Sequence, residues 1–335
     1  MEQRIFGKDL KVSALGFGCM GLSHAYGAPL DEREAVKLIR RAFECGYAFF
    51  DTAEVYGTED DPHANERLVG EALAPVRGEA VIATKFGLAF DKESGKTPYP
   101  LIPDSRPETI RRAVEGSLAR LRTDHIDLYY QHRPDPKVEP EAVAEVMAEL
   151  IREGKITHWG ISEASAEYLR RAHAVCPVTA VQNRYSMMAR WHEALFPVLE
   201  ELGVGFVAFS PMANGLLTGR YVKGSRFDAR YDYRAAMPQF ADEAAEKNAA
   251  LLSLLRRYAE EKGATPAQIS LAWMLRKKPW IVPIPGTRSE TRMEENAGAA
   301  AVALTTEETR AIDAALDGME MSEVFGGAKI SGKKD

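Results

Sequence analysis

From Leu15 onward, short apolar runs alternate with segments of helical periodicity eight times over, and this alternation constrains the fold more than any other feature. The apolar runs fall at 14–18, 47–51, 80–85, 126–132, 158–162, 178–182, 204–210 and 280–284. Helical spacing follows at 31–44, 65–72, 107–120, 140–153, 166–174, 193–202, 244–262, 266–276, from about 291, and at 306–316. In the first of these, Ala35, Leu38, Ile39, Ala42 and Phe43 share one face, and Asp31 is placed as N-cap. Steady alternation means a parallel sheet, and eight units point to an α/β fold, a closed (β/α)8 TIM-type barrel. Residues 4–13 read as an N-terminal β-hairpin around Gly7-Lys8-Asp9. No Pro/Ser/Gly-rich linker divides the chain, so one domain over 1–335 is expected. The extra length lies in 87–106, 211–242 and the tail after Gly318, and the first two are long loops on the C-terminal face, where barrels carry their sites.

Composition enters mainly by exclusion. A net charge of −6 gives no global electrostatic case for nucleic acid or an anionic membrane as partner. No apolar run is long enough to span a bilayer, and the N-terminus has no apolar signal core. Cys19, Cys45 and Cys176 lack metal-ligand or redox spacing, so a reducing, cytoplasmic setting and no metal are expected.

The stretch 49–57 is where chemistry enters. Phe49 and Phe50 lead into Asp51, at the end of an apolar strand, and Tyr56 follows on the loop. A buried carboxylate is costly unless a cation or donors meet it. Lys85, His132, Ser162, Gln182 and Ser210 also stand at strand ends, which a barrel gathers at one mouth. Asp51, Tyr56, Lys85 and His132 together suit proton donation by a phenol. Free tyrosine titrates near pH ~10, and a neighbouring ammonium is expected to lower that value while Asp51 holds the ammonium in place. A tuned phenol, with a histidine polarising the same oxygen, protonates a forming alkoxide, and the hydride must come from a cofactor. No G-x-S-x-G or H-x-x-x-H pattern supports hydrolysis or metal binding.

Two segments could hold that cofactor. Gly16-Phe17-Gly18-Cys19-Met20-Gly21 matches G-x-G-x-x-G, but Gly27 and Pro29 stand where the dinucleotide helix should run. Its glycines read instead as close backbone approach to a ligand at the mouth. Near the C-terminus, Pro285-Gly286-Thr287-Arg288 leads through Ser289 and Arg292 into a helix. This is either a phosphate site at a helix N-terminus or a solvated helix start.

Taken in order, Asp51-Thr52-Ala53-Glu54-Val55-Tyr56-Gly57, Ala83-Thr84-Lys85, Tyr129-Tyr130-Gln131-His132-Arg133, Gly160-Ile161-Ser162, Ser210-Pro211 with Gly215-Leu216-Leu217-Thr218-Gly219, and Ile284-Pro285-Gly286-Thr287 with Glu295-Asn296 resemble the aldo-keto reductases. The resemblance implies an NADP(H)-dependent reductase of aldehydes and ketones, with a small-molecule carbonyl partner. It implies Tyr56 as proton donor, Lys85 and Asp51 as its tuning pair, and His132 orienting the carbonyl. It places Ser162 and Gln182 at the nicotinamide carboxamide and Phe209 beneath the ring. Ser210, Pro211, Met212, Asn214, Gly215, Leu217 and Arg220 match the loop over the pyrophosphate. Gly286, Thr287, Arg288, Arg292, Glu295 and Asn296 match the adenosine pocket, with Arg292 carrying the NADPH preference.

The chain departs from this pattern in three places. Asn183-Arg184 stand where many relatives have a Glu before Tyr-Ser, and Glu163 stands where many have Asn. Pro211-Met212-Ala213-Asn214-Gly215 lacks an arginine of the pyrophosphate loop, so Arg220 and Arg226 are expected to take up its charge. A substrate pocket is expected from Met20, Leu22, Tyr26, Phe86 and Arg133, with Phe90, Tyr99, Phe227, Tyr231 and Tyr233 supplied by the long loops. A second reading is a cofactor-sensing subunit like the potassium-channel β subunits; a long N-terminal segment is expected of those, and here the first strand is expected almost at Met1. Oligomeric state is not legible.

Overall fold

The computed structural model describes residues 1–96 and 99–324; the end of the expected tail, 325–335, lies outside the described residues. Twelve strands run in chain order: β1 (Gln3–Phe6), β2 (Leu10–Ser13), β3 (Phe17–Gly18), β4 (Phe49–Asp51), β5 (Val81–Phe86), β6 (Leu88–Phe90), β7 (Leu101–Pro103), β8 (Ile126–Gln131), β9 (Ile156–Ser162), β10 (Ala180–Arg184), β11 (Gly205–Phe209) and β12 (Ile281–Pro283). Eight of them form one parallel sheet in the order β3-β4-β5-β8-β9-β10-β11-β12. The ring closes between its ends, where the Gly16 and Gly18 amides donate to the Pro283 and Pro285 carbonyls at 3.0 and 3.3 Å. The result is a (β/α)8 barrel.

Glycine is what permits that closure. A Cβ on Gly18 would sit 2.8 Å from the Ile284 carbonyl oxygen, and one on Gly286 would sit 2.8 Å from the Gly18 oxygen. The close approach expected of residues 16–21 is therefore made first to the barrel's own last strand. No long helix opens there; Met20–Leu22 is a single 3-10 turn, and the first α-helix is Glu32–Glu44. Asp31 caps that helix, accepting from the Arg33 and Glu34 amides.

Strand periodicity of two sorts the apolar residues into two cores. Phe49, Ala83, Leu128, Tyr130, Ala180, Val207, Val282 and Ile284 pack inside the ring. Phe50, Ile82, Tyr129, Ile161, Val181 and Phe206 face the helices. Full burial of one such side chain contributes about 1.5–3 kcal/mol. The hairpin β1–β2 closes the N-terminal end: Phe6 joins the inner core and covers Gly205, where a Cβ would meet its ring at 2.1 Å. One element was not legible beforehand. Within the loop 87–106, β6 and β7 pair as a short antiparallel hairpin. The expected helix 244–262 is broken, with Ala244–Lys247 and Ala249–Lys262 meeting at Asn248. Among the described residues no helix is long and apolar enough to cross a membrane.

Candidate active site

Each strand that places a side chain inside the barrel places its residue two positions on at the mouth. Phe49 leads to Asp51, Ala83 to Lys85, Tyr130 to His132, Ala180 to Gln182 and Val207 to Phe209. The scattered strand-end residues therefore converge at one mouth.

Lys85 is fully buried and lies behind the cavity wall, and its ammonium satisfies three acceptors. Nζ is 2.5 Å from Asp51 Oδ1, 2.8 Å from the Thr52 carbonyl oxygen and 3.3 Å from the Tyr56 hydroxyl. Asp51 Oδ2 accepts from Gln182 Nε2 at 2.7 Å, so both carboxylate oxygens are held. His132 stands edge-on to Tyr56, ring centroids 5.5 Å apart, and its Nδ1 has no hydrogen-bond partner among the described residues.

The electrostatics refine the expectation for Tyr56. Burial is the largest influence and pushes the phenol above its ordinary value, while the Lys85 ammonium pulls it partly back. The sequence-based expectation of a net lowering is thus corrected: desolvation of the phenolate outweighs the pull of Lys85 and the smaller pull of Arg133. Burial disfavours the Lys85 cation, but Asp51 and Tyr56 more than restore it, and the net shift is upward. Burial, then Arg133 and Lys85, hold His132 well below the usual histidine range, so it is neutral. The site therefore presents a protonated phenol, a charged lysine and a neutral imidazole.

The tyrosine loop is fixed from behind. Ser23 Oγ donates to the Tyr56 carbonyl at 2.7 Å, and His24 Nδ1 lies 2.7 Å from the Gly57 carbonyl. The His24 ring stacks on Tyr56 at 6.0 Å and its Nε2 lies 3.2 Å from the Tyr233 hydroxyl. Sequence reasoning missed His24, which sits on a loop with no periodic signal.

A cavity of about 330 Å³ runs from this cluster across the mouth. Tyr56, Asp51, His132, Arg133, Met20 and Tyr26 line one part. Ser162, Gln182 and Phe209 line the next, followed by Ser210, Pro211, Met212, Asn214, Gly215 and Arg220 on the loop after β11. Gly286, Thr287, Arg288, Arg292, Glu295 and Asn296 complete the other end. Besides Lys85, three residues expected of the substrate or cofactor pocket do not line it. Leu22, Phe86 and Leu217 are fully buried in the core against the helices, because their positions face outward from the mouth. Of the loop aromatics expected there, Tyr233 is the one that lines the cavity, joined by Tyr221, which was not expected; Phe227 packs on Tyr221 and Phe240 instead, and Leu88 and Leu101 supply apolar wall.

The loop after β11 is strained. Ser210, Ala213 and Asn214 have φ of +51°, +47° and +60°, values that non-glycine residues seldom adopt. It is tied across the cavity by Asn214 Nδ2 donating to the Tyr26 hydroxyl at 2.6 Å and by Arg220 lying 3.6 Å from Glu295. Arg226 is corrected: it is exposed, pairs with Asp242 and does not line the cavity.

A family model, the aldo/keto reductase family, matches residues 14–317. The chain belongs to the aldo/keto reductase family. It is 41% identical over 327 residues to "Probable aldo-keto reductase 1" of Glycine max, covering 97% of this chain and 90% of that protein. A glycerol dehydrogenase of Gluconobacter oxydans superposes with a TM-score of 0.84 at 31% identity, covering 94% of each chain. The holo form of an aldo-keto reductase of Bacillus halodurans gives 0.75 at 28% identity over 99% of each chain. This aldo/keto reductase is accordingly an oxidoreductase that uses a nicotinamide cofactor and acts on small-molecule carbonyl compounds. The residues present fit such a cofactor: one continuous cavity offers an aromatic side chain, polar side chains and arginines, of which Arg288 and Arg292 have no carboxylate ion-pair partner among the described residues.

Proposed function

We propose that this aldo/keto reductase reduces aldehydes or ketones with NADPH and that Tyr56 is the general acid. The observation that carries this reading is the Tyr56 hydroxyl 3.3 Å from the buried Lys85 ammonium, which is itself locked to Asp51. When bound, the nicotinamide supplies the hydride to the carbonyl carbon. Tyr56 holds the proton that the new alkoxide requires, and Lys85 stabilises the phenolate left behind. Neutral His132 offers a ring nitrogen to the same oxygen without adding a second positive charge. Gln182 fixes the unused oxygen of Asp51, so the carboxylate keeps its orientation.

Ser162, Gln182 and Phe209 are assigned to the nicotinamide end. Ser162 Oγ donates to the Gln182 carbonyl and accepts from Arg133, which leaves it a lone pair for a carboxamide N–H. The loop 210–220 is assigned to the pyrophosphate, and residues 286–296 to the adenosine. Arg292 supports NADPH over NADH because it is exposed at the cavity edge with no carboxylate partner among the described residues. Tyr56→Phe tests the central role. Its kcat with NADPH and an aldehyde should fall about 10²–10⁴-fold, the range of general acid catalysis, while NADPH binding by fluorescence titration persists. A near-normal kcat would remove Tyr56 from the mechanism.

A further inference from the structure

Arg184 ends β10, two residues after Gln182, so the pleat that aims Gln182 into the mouth aims Arg184 there as well. Its side chain lines the cavity yet is only 4% exposed. A guanidinium so placed needs acceptors, and this one is poorly supplied. Among the described residues its Nε has no hydrogen-bond partner, and its Nη1 reaches only the Asn214 side-chain oxygen, at 3.5 Å. No carboxylate forms an ion pair with it among the described residues. Burial accordingly pulls its pKa down.

A second cation faces the same place. The Arg184 and Arg133 guanidinium carbons lie 5.0 and 6.0 Å from the centroid of the one Phe209 ring. Arg133 donates to Ser162 Oγ and the His132 carbonyl and has no carboxylate ion-pair partner among the described residues. The acid on the neighbouring strand end, Glu163, attracts both guanidinium groups at a distance but forms no ion pair with either among the described residues. It is held with φ of +60°, accepts from the Arg184 backbone amide at 3.2 Å and lies 4.0 Å from His192 Nε2. Two cations thus share a low-dielectric wall beside His132 and Tyr56, and neither has a carboxylate in ion-pair contact among the described residues. The cations assigned to the cofactor's phosphates come from other elements: Arg220 and Arg288 from the loops after β11 and β12, and Arg292 from the helix Glu290–Gly298.

We propose that Arg184, together with Arg133, binds an anionic substituent of the carbonyl substrate, so that the preferred substrates are aldehydes or ketones bearing a carboxylate or phosphate. Arg184 is then the specificity-determining residue. This rests on the reductase reading above. It assigns the anion to the substrate, because Arg133 adjoins His132 in sequence and donates to its carbonyl.

The test compares para-carboxybenzaldehyde with the neutral methyl ester of the same acid, using NADPH consumption by the full-length enzyme. The native enzyme should show a kcat/KM at least about tenfold higher for the carboxylate, the lower end of what a hydrogen bond to a charged group contributes. Arg184→Gln should erase that ratio, and Arg184→Lys should restore part of it, because the charge returns without the planar fork. Benzoate should inhibit the native enzyme competitively against the aldehyde. This measurement keeps the inference testable if Arg184→Gln does not fold. Equal kcat/KM for the two aldehydes in the native enzyme would overturn the inference while leaving the reductase reading intact. So would an Arg184→Gln variant in which the KM for NADPH rises tenfold with the substrate ratio unchanged; the anion would then be a cofactor phosphate. Failure to consume NADPH with either aldehyde would instead overturn the reductase reading.

Discussion

Two groups of charges at the barrel mouth are built on opposite principles. Around Lys85, every charge meets a partner inside the protein: Asp51 Oδ1 at 2.5 Å, the Thr52 carbonyl at 2.8 Å, and Gln182 on the other carboxylate oxygen at 2.7 Å. Elsewhere at the mouth, Arg133, Arg184 and Arg292 have no carboxylate ion-pair partner among the described residues. A satisfied buried pair holds geometry, because neither member can leave without stranding the other. An unsatisfied cation holds affinity in reserve, because its missing partner arrives with the ligand. The first group therefore suits the invariant part of a reaction and the second the recognition of what enters.

The contrast predicts where mutations hurt. Lys85→Met should be the most damaging, since it leaves Asp51 buried without its cation. A stability loss of about 3–5 kcal/mol in urea denaturation is expected, with kcat reduced about 10²–10⁴-fold. A loss under ~1 kcal/mol, the exposed-pair range, would mean the pair is not structural and would break the comparison. Arg292→Ala should behave oppositely. Its melting temperature should stay unchanged, while the KM for NADPH rises about 10–100-fold more than that for NADH, the worth of a charge-assisted contact to phosphate. Equal changes for the two cofactors would show that Arg292 does not read the 2′-phosphate.

The smallest effect concerns an unpaired charge of the other sign. Glu54, behind Tyr56, accepts from the Gly87 amide at 2.8 Å, and burial with Glu66 nearby pushes its carboxyl up to about 7. Because the folded value lies above the unfolded one, its contribution to stability is full at acid pH and is lost as pH rises through neutrality. Glu54→Gln should flatten that decline and raise stability by about 1 kcal/mol near pH 8, with no gain near pH 4. Thermal melts across this range decide it; an equal change at both ends would assign the effect to packing.

The barrel was legible because it is periodic. The strand-end Asp51, Lys85, His132 and Gln182 could be grouped without coordinates, since eight parallel strands bring their ends together whatever lies between. What escaped was aperiodic or depended on facing. Leu22, Phe86 and Leu217 lie close in sequence to cavity residues but turn into the core. The β6–β7 hairpin occupies what read as loop. His24 reaches the Tyr56 loop through a backbone carbonyl, a contact that no residue pattern announces.

Arg184 marks the boundary most clearly. The alternation that made Gln182 a site residue applied equally two positions further on, and extending it would have found the arginine. That its Nε would be left without a partner, and that Glu163 would form no ion pair with it, depended on distances between strands. By itself the sequence determined the eightfold alternation, the order of the strand-end residues and hence the chemistry available at the mouth, because these follow from local periodicity. Only the tertiary structure decided which charges cancel and which remain for a ligand, and that desolvation overrides Lys85 at Tyr56, because burial and electrostatic pairing are properties of packing in three dimensions.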